Sequence, residues 1–172
     1  LEIVCFDSEN WVGNGYILPS GPLREKIESL KKYDAVFLKG ENTDITKKIS
    51  LIKKINPKIE IFQTYYKPSN LSKFNPKNRY VIFSGIGNPK DLKKILLGNN
   101  INVVEEIIFP DHYTYKNEDI DKIKVVAKNL NARIITTEKD YVKLSEQNRI
   151  DINYLEIDLK KKNEEKLINF IR

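Results

Sequence analysis

The chain has 172 residues, 40% of them apolar and 31% charged, which suits one large folded domain or two small ones and argues against disorder. No run approaches the roughly 18 consecutive apolar residues that span a bilayer, and no basic-then-apolar leader opens the chain, so neither a membrane helix nor an export signal is read here. The net charge of +6 admits an anionic partner such as nucleic acid or a membrane surface, but the lysines accompany abundant isoleucine and asparagine and read as solvated faces of a compositionally biased protein.

One cysteine, Cys5, lies in the apolar run Leu1–Phe6, which excludes an internal disulfide framework and predicts a buried thiol in a reducing, cytoplasmic compartment. The chain opens on Leu1 and passes directly into a strand-like run, which predicts a segment upstream of it.

In chain order, short β-branched and aromatic runs alternate with helical patterns, the sign of parallel βαβ units in an α/β fold. A strand over 1–7 leads through the turn Gly13-Asn14-Gly15 to Ser20 and Pro22, placed as N-cap and first-turn proline of a helix reaching about Tyr33. A strand over 35–38 precedes a helix from about Asp44 to Ile55, with Ile45, Ile49, Ile52 and Ile55 on one face and Lys47, Lys48, Lys53 and Lys54 opposite. That basic face suits either an anionic lipid surface or plain solvent.

A strand over 59–66 ends in the most loop-like stretch, 67–78, where the domain boundary is placed. Beyond it the pattern predicts a strand over 80–83, a helix capped by Asn88 with Pro89 first and ending near Gly98, and a strand over 101–109. A helix over 118–130, strands over 132–136 and 152–157, and a helix from about Asn163 complete the chain.

In an open parallel sheet, ligands gather beyond the carboxyl ends of the strands, where loops and helix N-termini present free N–H groups. The polar clusters fall there: Asp7 to Asn14, Gly85 to Asn88, Asp111-His112 and Thr136 to Asp140. Gly85-Ile86-Gly87 begins like a dinucleotide fingerprint, but Lys90 stands at the third glycine position, so a tight strand-to-helix turn is an equal reading.

His112 is the single histidine, so any imidazole role in acid-base chemistry falls to it; an incidental surface histidine is the alternative. Side-chain alternation along a continuing strand would point Asp111 away from it. Arg24 and Glu25 suit contact with a phosphate or sugar hydroxyl, or a solvated Arg24–Glu28 helix pair. The phosphate loop G-x-x-x-x-G-K-[ST] is absent, and no metal-ligand spacing appears.

Taken in order, Gly13-Asn14-Gly15, Leu18-Pro19-Ser20-Gly21-Pro22-Leu23-Arg24-Glu25, Phe83-Ser84-Gly85-Ile86-Gly87-Asn88-Pro89, Phe109-Pro110-Asp111-His112-Tyr113 and Thr137-Glu138-Lys139-Asp140-Tyr141-Val142-Lys143-Leu144 resemble the tetraacyldisaccharide 4'-kinase family. The order and spacing of the blocks carry the likeness. Ser20, where the family usually has alanine, departs from it slightly.

The resemblance implies a P-loop kinase of two three-layer α/β/α domains joined by a small β linker, peripheral at the cytoplasmic face of the inner membrane. Such an enzyme transfers the γ-phosphate of ATP, with Mg²⁺, to the 4'-hydroxyl of a lipid A disaccharide precursor. Residues 1–60 would complete the N-terminal domain, 61–79 the linker and 80–172 the C-terminal domain.

By the same likeness His112, with Asp111, is the catalytic pair, and Arg24, Glu25 and Asn14 are substrate- or phosphate-side. Gly85, Gly87, Asn88, Thr137, Glu138, Lys139 and Asp140 are nucleotide-side or structural. The family's phosphate loop, catalytic aspartate and metal-binding acidic pair precede the matching region, so the resemblance assigns no metal ligand here and leaves the chain inactive by itself. A stand-alone, non-catalytic nucleotide-binding module is the alternative. A nucleic-acid-binding domain is disfavoured by the lack of clustered basic and aromatic residues.

Overall fold

The computed structural model describes residues 1–40 and 45–172. The chain divides into two compact units, one of residues 1–67 with 159–172, the other of residues 68–158.

The first unit is built on strands β1 (Ile3–Asp7), β2 (Ala35–Lys39), β3 (Glu60–Pro68) and β8 (Ile157–Lys161), hydrogen-bonded in that order, with β1, β2 and β3 parallel. Alternation along β2 sends its side chains to two layers. Val36 and Leu38 meet Leu30 and the isoleucine face of helix α1 (Ile45–Ile55), while Ala35 and Phe37 meet Phe62, Leu167 and Phe170. Asp44, placed in this helix from sequence, lies outside the described residues.

The lysine face of α1 is only partly solvated. Lys48 Nζ donates to the Ser8 carbonyl at 2.5 Å, and Lys53 Nζ donates to the carbonyls of Ile59 at 2.6 Å and Pro57 at 3.2 Å. These two ammonium groups tie the helix to its neighbours.

Three sequence expectations change in this unit. The helix expected from Ser20 to Tyr33 shrinks to a 3-10 turn over Ile27–Lys32, because residues 16–23 form their own closed loop. In that loop Leu18 N–H donates to Leu23 O at 2.8 Å, and Ile17 bridges Leu23. Gly13 has φ +56, and a Cβ there would meet the Pro22 ring at 2.6 Å, so the turn that brings the chain back requires glycine. Cys5 is exposed instead of buried, because β1 sits at the end of the strand order with one neighbouring strand.

The third change is the C-terminal segment, which joins the first unit although it follows the second in sequence. Helix α6 (Glu164–Ile171) buries Leu167 against Ala35 and Phe62, sets Phe170 tilted against Phe62 with ring centroids 5.4 Å apart, and pairs Lys166 with Glu60 at 2.5 Å. Its apolar face matches the layer that α1 does not cover. Leu167→Ala is expected to cost about 2–4 kcal/mol through lost burial and a residual cavity. Native-state hydrogen exchange should show the loss in the first unit; a loss confined to residues 68–158 would contradict this packing.

The second unit has the parallel order β5 (Asn102–Ile108), β4 (Arg79–Ser84), β6 (Arg133–Thr137), β7 (Ile152–Leu155). Central strand β4 is buried on both faces, as parallel sheets require. Tyr80 and Ile82 pack with Leu92 and Leu96 of helix α2 (Lys90–Gly98), and Val81 and Phe83 with Ile120, Ile123 and Ala127 of helix α3 (Asn117–Asn129). The result is a three-layer α/β/α unit.

The strand expected over 152–157 breaks at Glu156. Buried Asn70 donates from its amide to Tyr154 O at 2.9 Å and accepts from Glu156 N–H at 3.0 Å, which satisfies the backbone where pairing stops. Two short helices not expected from the pattern follow β6: α4 (Glu138–Tyr141) and α5 (Glu146–Arg149).

Candidate functional site

The carboxyl ends of β4, β5 and β6 carry one polar constellation. Strand β5 ends at Ile108, and Phe109 N–H then donates to Ser84 O at 2.8 Å, so Pro110, Asp111 and His112 turn across the end of β4. Because the strand has already stopped, its alternation no longer separates Asp111 from His112. Asp111 Oδ2 lies 3.7 Å from His112 Nε2, and Asp111 Oδ1 lies 3.9 Å from Lys139 Nζ.

All three side chains are open to solvent: His112 is 76% exposed, Lys139 52% and Asp111 45%. The His112 backbone has φ +60, a left-handed conformation uncommon outside glycine. Its N–H donates to Gly85 O at 3.2 Å and to Asp111 Oδ1 at 3.0 Å.

Beneath this exposed trio lies a buried carboxylate. Asp140 is 0% exposed. Its Oδ2 accepts from Gly85 N–H at 3.0 Å and from Thr137 Oγ1 at 2.7 Å, and its Oδ1 accepts from Lys143 Nζ at 2.8 Å. Thr137 also caps α4, its hydroxyl accepting from Asp140 N–H at 3.1 Å.

Burial alone would raise the Asp140 pKa, but the Lys143 ammonium, the Gly85 N–H and the Thr137 hydroxyl together hold it below the ordinary aspartate value. A carboxylate whose folded pKa is depressed stabilises the fold fully above its unfolded value of about 3.9, and that stability is lost as pH falls through the folded pKa. Acid denaturation of the second unit is therefore expected below about pH 4, and Asp140→Asn should flatten that limb. An unchanged acid limb in the variant would show that other carboxylates govern it.

Gly85 is required by close approach. A Cβ there would stand 2.9 Å from the Tyr115 hydroxyl and 3.1 Å from the Pro110 carbonyl. Among the described residues the buried Tyr115 hydroxyl has no hydrogen-bond partner, and burial first, then the charge of Asp140, push its pKa above the ordinary tyrosine range. Gly87 faces Asp111, where a Cβ would lie 3.3 Å from Oδ2.

Asn88 bonds Asp91 Oδ1 at 2.9 Å, and Pro89 takes the N-cap position expected for Asn88, a shift of one residue. Glu138 opens α4 and is exposed.

In the first unit, Asp7 at the end of β1 pairs with Lys39 at the end of β2 at 2.7 Å, and Lys39 Nζ sits 4.6 Å from the Tyr66 ring centroid. Burial opposes ionisation of Asp7, but Lys39 and the Glu9 N–H outweigh it and lower its pKa. A cavity of about 380 Å³ is lined by Asp7, Trp11, Arg24 and Glu25 among others.

Glu25 pairs with Lys32 at 2.9 Å in place of any Arg24–Glu28 pair, and Lys32 lowers the Glu25 pKa. Asn14 is occupied in closing the loop: its amide donates to Ser20 O at 2.8 Å and its Oδ1 accepts from Tyr16 N–H at 3.2 Å. Its side-chain oxygen also abuts Gly21, where a Cβ would clash with it.

Sequence reasoning missed Lys143, Tyr115 and the Asp7–Lys39 pair. Lys143 lay within a block already singled out, and its position three residues after Asp140 on a helical turn was the available signal.

Parallel strands covered by helices, with polar loops gathered at their carboxyl ends, define an α/β protein. The family described as LpxK, tetraacyldisaccharide-1-P 4'-kinase, matches residues 1–172, and the chain belongs to this family.

Among curated relatives, the tetraacyldisaccharide 4'-kinase of Pelagibacter ubique is 46% identical over 169 residues, covering 98% of this chain and 54% of that protein. The Rickettsia bellii enzyme of the same name is 38% identical over 151 residues, covering 87% of this chain and 45% of that protein. The chain thus spans about half the length of the curated relatives it matches. The crystal structure of LpxK from Aquifex aeolicus in complex with ATP shares the fold with a TM-score of 0.62 at 22% identity, over 99% of this chain and 51% of that one.

Proposed function

We propose that this chain supplies the acceptor-side and closing parts of a tetraacyldisaccharide 4'-kinase. The reaction is transfer of the ATP γ-phosphate to the 4'-hydroxyl of a tetraacyldisaccharide 1-phosphate, the lipid A precursor. The observation that carries this reading is the exposed Asp111–His112–Lys139 group on a turn at the strand ends, in a chain of this family. A sugar hydroxyl attacking a γ-phosphate needs in-line positioning, neutralised charge and a nearby base, and His112 with Asp111 suits the last of these.

Arg24 and Glu25 are read as phosphate- or sugar-side through the cavity they line, with Asn14 setting the loop beside them. Gly87, Asn88, Glu138 and Lys139 are read as nucleotide-side, and Gly85, Thr137 and Asp140, bonded to one another, as the structural part of the same set. Residues 1–60 are read as completing the nucleotide domain, 61–79 as the linker and 80–172 as the closing domain, of which 159–172 pack in the first unit.

ATP and Mg²⁺ are assigned mainly to protein beyond this chain. The sequence has no G-x-x-x-x-G-K-[ST], and no group of three or more His, Cys, Asp or Glu among the described residues makes a metal site. Among the described residues no helix is long and apolar enough to cross a membrane, and the kinase reading carries with it a peripheral location at the inner-membrane surface.

The experiment is ATP-dependent phosphorylation of the disaccharide lipid, measured with this chain alone and with this chain joined to the part of the Pelagibacter ubique enzyme that it does not match. Activity only in the joined protein is expected. Activity in neither would remove the kinase reading. A non-catalytic nucleotide-binding module would instead bind ATP by itself, and the commitment of the Gly85 N–H to Asp140 argues against that.

A further inference from the structure

We propose that Asp140 is a positioning residue for His112, acting through the backbone of Gly85. The inference rests on the kinase reading only for its consequence in turnover; the structural coupling stands separately. The Gly85 backbone is held on both sides of its Cα, through two successive peptide groups. Its N–H donates to the buried Asp140 carboxylate at 3.0 Å, and its carbonyl accepts the His112 N–H at 3.2 Å and lies 3.5 Å from Lys143 Nζ.

His112 stands at φ +60, a conformation that persists in a non-glycine residue only where its surroundings hold it. One of the two acceptors for its N–H is this carbonyl, and the other is the neighbouring Asp111 carboxylate, half exposed. The carboxylate that holds the Gly85 N–H is itself fixed by Thr137 and Lys143, so a buried charge 28 residues away in sequence steadies the backbone that presents the imidazole.

A charge-assisted hydrogen bond to the Gly85 N–H polarises the Ser84–Gly85 peptide and strengthens the Ser84 carbonyl, which accepts the Phe109 N–H at 2.8 Å where the chain leaves β5 for the turn that carries His112. Gly85 cannot drift toward Pro110 or Tyr115 without collision, since the space a Cβ would need there is already filled. Gly85 thus meets Asp140 through its N–H and His112 through its carbonyl in one closely packed backbone arrangement.

The test uses the single histidine as its own probe. In the 172-residue chain, the φ-dependent coupling and the hydrogen exchange of the His112 amide are measured by NMR for wild type, Asp140→Asn and Thr137→Val. Ile123→Val, in the α3 core away from the loop, serves as a control for general loss of stability.

Asp140→Asn is expected to speed exchange at Gly85 and His112 about tenfold relative to the control and to change the His112 coupling, with Thr137→Val intermediate. His112 signals unchanged in a folded Asp140→Asn protein would overturn the proposal. If that variant does not fold, Thr137→Val decides alone by the same criterion.

In the joined, active protein, Asp140→Asn should lower kcat about tenfold with KM for ATP unchanged, and should cost nothing further in a His112→Ala background. Multiplicative losses in the double variant would mean that Asp140 acts by another route. If the NMR coupling is lost while His112→Ala retains full turnover, the positioning stands and the catalytic reading of His112 falls.

Discussion

Asp140→Ala is expected to destabilise the second unit by about 3 kcal/mol, within the range for breaking a buried ion pair from one side. The substitution removes the acceptor of three hydrogen bonds at once and leaves the Gly85 N–H and the Thr137 hydroxyl to find new partners. Lys143 is 25% exposed and can reach water, which keeps the expected cost toward the lower end of that range. Asp140→Asn retains the shape and one acceptor, so a smaller loss is expected from it. Urea denaturation followed by a probe within residues 68–158 measures both. A cost below about 1 kcal/mol for the alanine variant would mean that the network contributes no more than an ordinary neutral hydrogen bond.

The second large effect concerns the reaction. In the joined protein, His112→Ala should lower kcat by about 10²–10⁴-fold, the usual contribution of a positioned acid or base, while the dissociation constant for ATP stays within a factor of two or so. The split between the two constants follows from placement. His112 is exposed on a turn with Asp111 and Lys139, and the phosphate-binding loop of the family is no part of this sequence. Equal turnover in the variant would take His112 out of the mechanism and leave the Arg24 and Glu25 side of the proposal as the part to test.

Buried Asp140 changes how the Thr137–Asp140 block is understood. A ligand-facing row was one reading of those residues, yet the first hydroxyl and the last carboxylate bond each other and the fold. Glu138 and Lys139 are the members left exposed, and Lys139 reaches toward Asp111. The block thus presents two side chains and uses the other two to hold the turn.

The α/β class, the parallel strands and most helices were legible in the residues alone, because a period of two or 3.6 in apolar residues is a local property written directly in the chain. The apolar run Tyr80-Val81-Ile82-Phe83 marked a strand, and the structure then showed its two faces buried in different clusters. The ordered blocks around Asn14, Arg24, Gly85, His112 and Thr137 likewise carried the family resemblance without any coordinates. Other features emerge only when the chain packs. Whether residues 16–23 close as a loop, whether β5 stops at Ile108 so that Asp111 meets His112, and whether α6 returns to the first unit all depend on partners distant in sequence. The same holds for the Asp140 carboxylate and the Gly85 N–H, 55 residues apart: each is locally an ordinary polar group, and only packing removes the water that would otherwise satisfy both.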